Sequence, residues 1–239
     1  VMQADALSRL IDATWPAAGV TDVGGWRIRR GGGGGSRVSA ATALVPGDVG
    51  DLSVAEEAMR DLGQVPLFMV RDGEAALDRA LADCGYGITD PTAFYSAPVA
   101  EIAGEAEAIL SWPPVAVQRE IWAAGGIGPS RLDIMLRAAE PRVSLLARLG
   151  DEPAGTVHLS LADGAAMIHA LETAAAHRRK GIGRLLCVAS ANWARDEGAD
   201  RLALLVTRAN AGGNALYRSL GFAEDGGYHY RKHPDGLDQ

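Results

Sequence analysis

A mixed α/β fold, a largely antiparallel sheet flanked by helices, is predicted by three features of the chain. RVSLLARLG (142–150), GTVHLSLA (155–162) and AAMIHALET (165–173) read as consecutive strands, because the turn residues of DEPAG and ADG separate them. Past Gly181 the apolar positions Ile182, Leu185, Leu186, Ala189 and Trp193 recur at i, i+3, i+4, i+7 and i+11, one face of a helix that ends near Gly198. RLALLVT (201–207) is almost wholly apolar, as expected of a strand covered on both faces. NALYRSL (214–220) then reads as a short helix stopped by Gly221, and GYHYRK as a closing strand. Upstream, QREIWAAG (118–125) and SRLDIMLRA (130–138) read as two short helices lying over one end of the sheet.

Composition narrows the class of protein. With 239 residues, 48% of them hydrophobic, the chain has enough apolar material for one large domain or two small ones. A net charge of −7 argues against a general nucleic-acid or membrane-surface binder. Two isolated cysteines, Cys84 and Cys187, make neither a disulfide framework nor a zinc site, so no metal is expected. No apolar run is long enough to span a bilayer, and VMQADALSRL lacks the charged-then-apolar layout of a signal peptide. These features predict a cytoplasmic protein.

The first hundred residues repeat the later pattern more faintly. AMRDLGQVPLFMV (58–70) phases with WARDEGADRLALLV (193–206), and LDRALADCGYGITDPTAFYS (77–96) with LYRSLGFAEDGGYHYR (216–231). The expectation is a diverged first half, 1–100, and a second half, 101–239, with the junction at about 98–115, including SWPPV.

Against this acidic background HRRKGIGRLL (177–186) stands out. A helix N-terminus presents unpaired N–H groups and a partial positive charge, and glycines let a ligand approach the backbone. Arg178, Arg179, Lys180 and Arg184 add full charges, so the segment suits a pyrophosphate. It is neither a Walker loop nor G-x-G-x-x-G, since position 186 is Leu. The other glycine run, RRGGGGGSR (29–37), precedes no helix and is expected to be a mobile hairpin connection. At the place in the first half equivalent to the cationic turn stands VPGDVGD (45–51), whose acids would repel a phosphate, and Asp78 stands where the second half has Tyr217.

R-x-x-G-x-G at 178–183, the strand triplet Leu171-Glu172-Thr173, then Asn210, Leu216-Tyr217 and LGF (220–222) together resemble the GNAT superfamily of acyl-CoA-dependent N-acetyltransferases, over roughly residues 140–232. The resemblance implies a GNAT sheet, in two GNAT-like halves in tandem as in members related to mycothiol synthase, with the first half lacking a coenzyme site and shaping the substrate cleft. It implies that Arg178, Arg179, Lys180, Gly181, Ile182, Gly183 and Arg184 wrap the coenzyme A pyrophosphate. It further implies that Leu171, Glu172 and Thr173 lie along the acetyl group and pantetheine arm, with Asn210 and Tyr217 also at the coenzyme. Acetyl-CoA is then the co-substrate, and family analogy admits a homodimer.

The chemistry constrains further roles. Amine attack on a thioester builds negative charge on the carbonyl oxygen, which the N–H of Leu171 would stabilise. Tyr217 is the candidate proton donor to the departing thiolate, although a thiol of pKa about 8.5 leaves fairly well unaided. An alkyl amine at neutral pH must shed a proton at a cost of about 4–5 kcal/mol. His169 is the leading candidate base, because on a regular strand it shares a face with Leu171 and Thr173, whereas a bulge would spoil that parity. Glu172 and His158 are weaker candidates, and relay through water needs none of them. His177 is expected to meet phosphate or solvent, and Cys187 to be an inert apolar residue, so transfer is direct. Asn210 either bonds the coenzyme or caps a helix.

The acceptor is expected to be the amine of a small molecule or peptide N-terminus. Trp112, Ile121, Trp122, Ile134 and Met135, preceded by Glu101, Glu105 and Glu107, either line a site for a cationic amine or form core with a solvated acidic face. His229 and its neighbouring tyrosines are placed to reach the same cleft. The competing functions are a noncatalytic coenzyme A sensor and an interaction module.

Overall fold

The computed structural model describes residues 4–234. In chain order the elements begin with α1 (Ala4–Thr14), β1 (Gly19–Val23), β2 (Trp26–Arg30), β3 (Thr42–Ala43), α2 (Leu52–Asp61), β4 (Leu67–Arg71), α3 (Ala75–Asp83) and β5 (Gly87–Pro98). Then come α4 (Val99–Ile102), β6 (Ile109–Ser111), α5 (Ala116–Ala124), α6 (Pro129–Arg137), β7 (Arg142–Leu149), β8 (Glu152–Ala162) and β9 (Ala165–Thr173). The chain closes with α7 (Ile182–Asp196), β10 (Arg201–Thr207), α8 (Ala211–Ser219) and β11 (Ala223–Lys232).

β1–β3 form a small sheet, and the other strands form an eight-stranded sheet in the order β4-β11-β5-β10-β9-β8-β7-β6. Within the large sheet β9 and β10 run parallel and the other neighbouring pairs antiparallel. The period of two assigns side chains to faces. Ala166, Ile168, Leu202, Leu204 and Val206 pack on one face under α7 and α8, while Met167, Ala203 and Leu205 face α1. α7 supplies Ile182, Leu186, Ala189 and Trp193 to the first of these cores, the face its spacing predicts. α1 buries Leu7, Leu10 and Ile11 against the second.

The order helix, strand, helix, strand occurs twice, as α2-β4-α3-β5 and as α7-β10-α8-β11. Each helix end is followed by a glycine of positive φ at the phased position: Gly63 (70°) and Gly198 (78°), Gly85 (83°) and Gly221 (94°). The two sets of strands do not form separate sheets, because β5 lies between β10 and β11. The short helix α4 and the edge strand β6 occupy the stretch read as a junction. The glycine run 31–35 connects β2 to β3, as a hairpin link should, but it ends in a 3-10 turn at Ser36–Val38 and packs against α6 through Gly34.

α7 packs tightly on the sheet over Gly155, where an added Cβ would lie 2.7 Å from Ile182 Cγ2 and 2.9 Å from the Glu172 carbonyl oxygen. Gly155→Ala should therefore push α7 off β8 and destabilise the fold by about 1–3 kcal/mol. A urea-unfolding midpoint equal to that of the wild type would show that the contact is slack.

Candidate functional site

The site is where the sheet splits. Pairing of β10 with β9 runs from Arg201↔Ala165 to Leu204↔Ile168 and stops, although both strands continue. β10 stays with β5 as far as Thr207↔Thr92, while β9 stays with β8 to Gly155↔Thr173. The divergence is helped by a bulge in β9: the register slips between Thr156 and His158, and Ala170 takes φ 50°. Trp122, fully buried, pins the bulge by donating Nε1–H to the Ala170 carbonyl at 2.7 Å.

A cavity of 390 Å³ occupies the split and is lined by Leu171, His169, Asn210 and Tyr217. Sequence reasoning named these four. It missed Trp15, Ser36, Arg37, Asp90, Ile127, Arg131 and Thr92, which share the wall. Trp15 follows a helix legible in Leu7, Leu10, Ile11 and Thr14, whereas nothing local marks Arg37 or Asp90. Tyr228 and Tyr230 also line the cavity, while His229 between them turns away to Asp78 at 2.7 Å. Asp78 is held as a carboxylate below its usual range by hydrogen bonds from Arg231 and His229.

The bulge spoils the strand parity. Leu171 packs toward the α7 core, whereas His169 is buried on the α1 side, stacked on Trp15 with ring centroids 4.7 Å apart. Thr14 Oγ1 donates to the Leu10 carbonyl at 2.7 Å and lies 3.0 Å from His169 Nε2. With its proton committed, the hydroxyl receives Nε2–H, which leaves a bare lone pair on Nδ1. Burial, then the charge of Arg37, then His158 hold His169 well below the usual imidazole pKa, so the ring is neutral at pH 7. His158 is fully buried outside the cavity wall, beside Trp112 at 5.4 Å, and neither of its nitrogens has a well-formed hydrogen bond among the described residues. Burial, reinforced by Arg142, pushes it down to about 3.

Tyr217 is mostly buried between Tyr95 and Phe222, at 6.2 and 5.9 Å. Burial raises its phenol above the usual range, so it carries its proton at neutral pH. Asn210 caps α8, its side chain accepting from Gly213 N–H at 2.9 Å. Cys187 is buried, its thiol pushed up to about 12, and is not a nucleophile at neutral pH.

The cationic turn lies beside the split. Gly181 is the N-cap of α7 in the left-handed conformation (φ 84°), and no side chain caps the helix. Its first N–H groups are thus left to a ligand or solvent, which fits a pyrophosphate. Arg178, Arg179, Lys180 and Arg184 are exposed. Arg178 is paired with Glu172 at 3.2 Å, and Arg184 reaches Ser219 at 3.2 Å. Gly183 lets α8 close in, an added Cβ there meeting Leu216 at 3.0 Å. Thr173 lies at the end of β9, paired with Gly155. His177 is buried against Glu152 at 3.1 Å, which differs from the phosphate or solvent contact expected of it. Trp122, Ile134 and Met135 are core, and Glu101, Glu105 and Glu107 are exposed away from the cavity.

The arrangement is a sheet opened between parallel strands beside such a turn. A GCN5-related N-acetyltransferase from Kribbella flavida has the same fold: TM-score 0.72 and 17% identity, with 98% of this chain and 96% of that one aligned. A tandem GNAT protein from the clavulanic acid biosynthesis pathway aligns with TM-score 0.52 and 14% identity over 74% of this chain and 66% of its own. Residues 110–222 match the model of the Acetyltransferase (GNAT) family. The uncharacterized N-acetyltransferase YobR of Bacillus subtilis (strain 168) is 27% identical over 94% of this chain and 96% of its own. The fold is thus that of GCN5-related N-acetyltransferases, and residues 110–222 are similar in sequence to the GNAT acetyltransferase family.

The buried histidines set a pH dependence of folding. His158, at about 3 when folded against about 6.5 when unfolded, takes up its proton first in the unfolded chain as pH falls. Below about 6.5 each such histidine removes up to about 1.4 kcal/mol of stability per pH unit, and above it the contribution is level. Urea titrations at pH 7 and pH 5 should show this slope, and His158→Phe should remove one proton's worth of it. An unchanged slope in the variant would refute the assignment.

Proposed function

We propose that the protein transfers an acetyl group directly from acetyl-CoA to the amine of a small molecule or peptide N-terminus. The observation that carries this reading is the split between β9 and β10, where Leu171 and Tyr217 line one cavity beside the uncapped N-terminus of α7. Acetyl-CoA supplies the acetyl group as a thioester, whose C–S bond breaks as the acceptor's C–N bond forms.

The chain's own residues divide the remaining work. The N–H groups at Gly181, Ile182 and Gly183 and the charges of Arg178, Arg179, Lys180 and Arg184 hold the pyrophosphate. Glu172 fixes Arg178 by its ion pair, and residues 171–173, past the end of pairing with β10, offer main-chain groups to the pantetheine. The N–H of Leu171, set by the bulge, stabilises negative charge on the carbonyl oxygen. Tyr217, protonated at neutral pH, gives its proton to the departing sulfur. His169 accepts a hydrogen bond at Nδ1 and orients the amine or a water, and its depressed basicity passes the final proton to solvent. Asn210 holds the start of α8 and so the place of Tyr217.

We also read the chain as two GNAT-like halves, 1–100 and 101–239, the first without a coenzyme site. The repeated element order and the matched positive-φ glycines support this. In that reading Asp78, at the place of Tyr217, serves an ion-pair role with His229 and Arg231.

Acetyl-CoA should raise the melting temperature of the wild type, by an amount that grows with concentration. Arg179→Glu with Lys180→Glu, and separately Gly181→Val, should abolish that rise. Tyr217→Phe should retain it while lowering kcat by about a hundredfold, the low end of general-acid effects. A melting temperature unmoved by saturating acetyl-CoA would overturn the reading.

A further inference from the structure

The cavity's two ends differ in chemistry. Toward α7 and α8 its walls are Ile168, Leu171, Leu204, Val206 and Tyr217. At the opposite end stand Arg37, Arg131, Asp90, Tyr228 and Tyr230.

Arg37 is partly buried, and its Nε–H is held by the Tyr228 hydroxyl at 3.2 Å, itself 3.3 Å from that of Tyr230. Among the described residues no carboxylate lies within ion-pairing distance of Arg37 or of Arg131. This is not the habit of the surrounding structure. Arg27, Arg29 and Arg71 are paired with Asp22, Asp12 and Glu74, and the chain carries seven more acids than bases. A recessed guanidinium without a counter-charge is disfavoured. Two cations against one exposed carboxylate, Asp90, leave this end positive, and the planar fork of arginine matches carboxylate and phosphate oxygens.

We propose that the acceptor is an amine that also bears an anionic group, a carboxylate or a phosphate, and that Arg37, with Arg131 at the rim, binds that group while the amine points toward Leu171 and Tyr217. Trp15 and Ile127 give the molecule an apolar wall between the two ends. The proposal rests on the acyl-transfer reading and narrows its substrate class.

The test pairs amines that differ only in the anion: alanine with ethylamine, and phosphoethanolamine with ethanolamine. Thiol release from acetyl-CoA is followed, together with calorimetric binding of each amine to protein without coenzyme, in the wild type, Arg37→Gln, Arg37→Lys and Arg131→Gln. The anionic member of at least one pair should have the higher kcat/KM, and the pair that responds identifies carboxylate or phosphate. Arg37→Gln should weaken its binding by about tenfold to a hundredfold, as expected for a lost charge-assisted hydrogen bond. The ratio of kcat/KM between the paired amines should fall toward one, with partial recovery in Arg37→Lys. Retention of the acetyl-CoA thermal shift in Arg37→Gln shows that the variant is folded; if it is lost, Arg131→Gln and competition of acetate or inorganic phosphate with the amine in the wild type decide the matter. Preference for the neutral amines, or equal loss on both members of each pair, overturns the proposal. Absence of transfer to every amine, with anionic binding still dependent on Arg37, would overturn acyl transfer and leave the anion site standing.

Discussion

The end of the ladder between β9 and β10 at Leu204↔Ile168 is the constraint on which the rest of the site depends. Two parallel strands that part must each keep a partner on the other side, or their backbone groups are left without hydrogen bonds in the interior. β8 and β5 supply those partners, so the sheet opens into a wedge without losing its two flanking ladders. The bulge at Ala170 directs β9 out of the shared plane, and the indole of Trp122 holds the positive-φ residue that makes the bend.

Electrostatics then give the wedge two ends. On the α7 side an uncapped helix start and exposed basic residues face outward, while Tyr217 and Cys187 keep their protons because they are buried. On the α1 side, burial and Arg37 keep His169 neutral, and Thr14 selects which of its nitrogens is bare. Arg37 and Arg131 line the cavity while Arg178, Arg179, Lys180 and Arg184 lie outside its wall, in a chain whose overall charge is negative.

Elements with strong periodicity were legible early. The strands from 142 to 173, the helix carrying Ile182, Leu186 and Trp193, and the strand 201–207 lie where their patterns put them, because burial of one face enforces the period. The segments phased in the sequence place Gly63 and Gly85 after helix ends, as Gly198 and Gly221 are placed. What was illegible arises from distance in sequence: Arg37 reaches Tyr228 across 191 positions, and Thr14 reaches His169 across 155. The tryptophans upstream of the sheet were readable as core or as cleft, and only their packing decided for core at Trp122.

By itself the sequence determined the class of fold and the cationic glycine turn, since both follow from local spacing of apolar, glycine and basic residues. Tertiary structure alone decided which faces meet at the opening. A bulge of a single residue reverses the side to which each following side chain points, and β5, drawn from the first hundred residues, separates β10 from β11. Neither event leaves a local pattern, because each is settled by which distant segment completes the hydrogen bonds and fills the space.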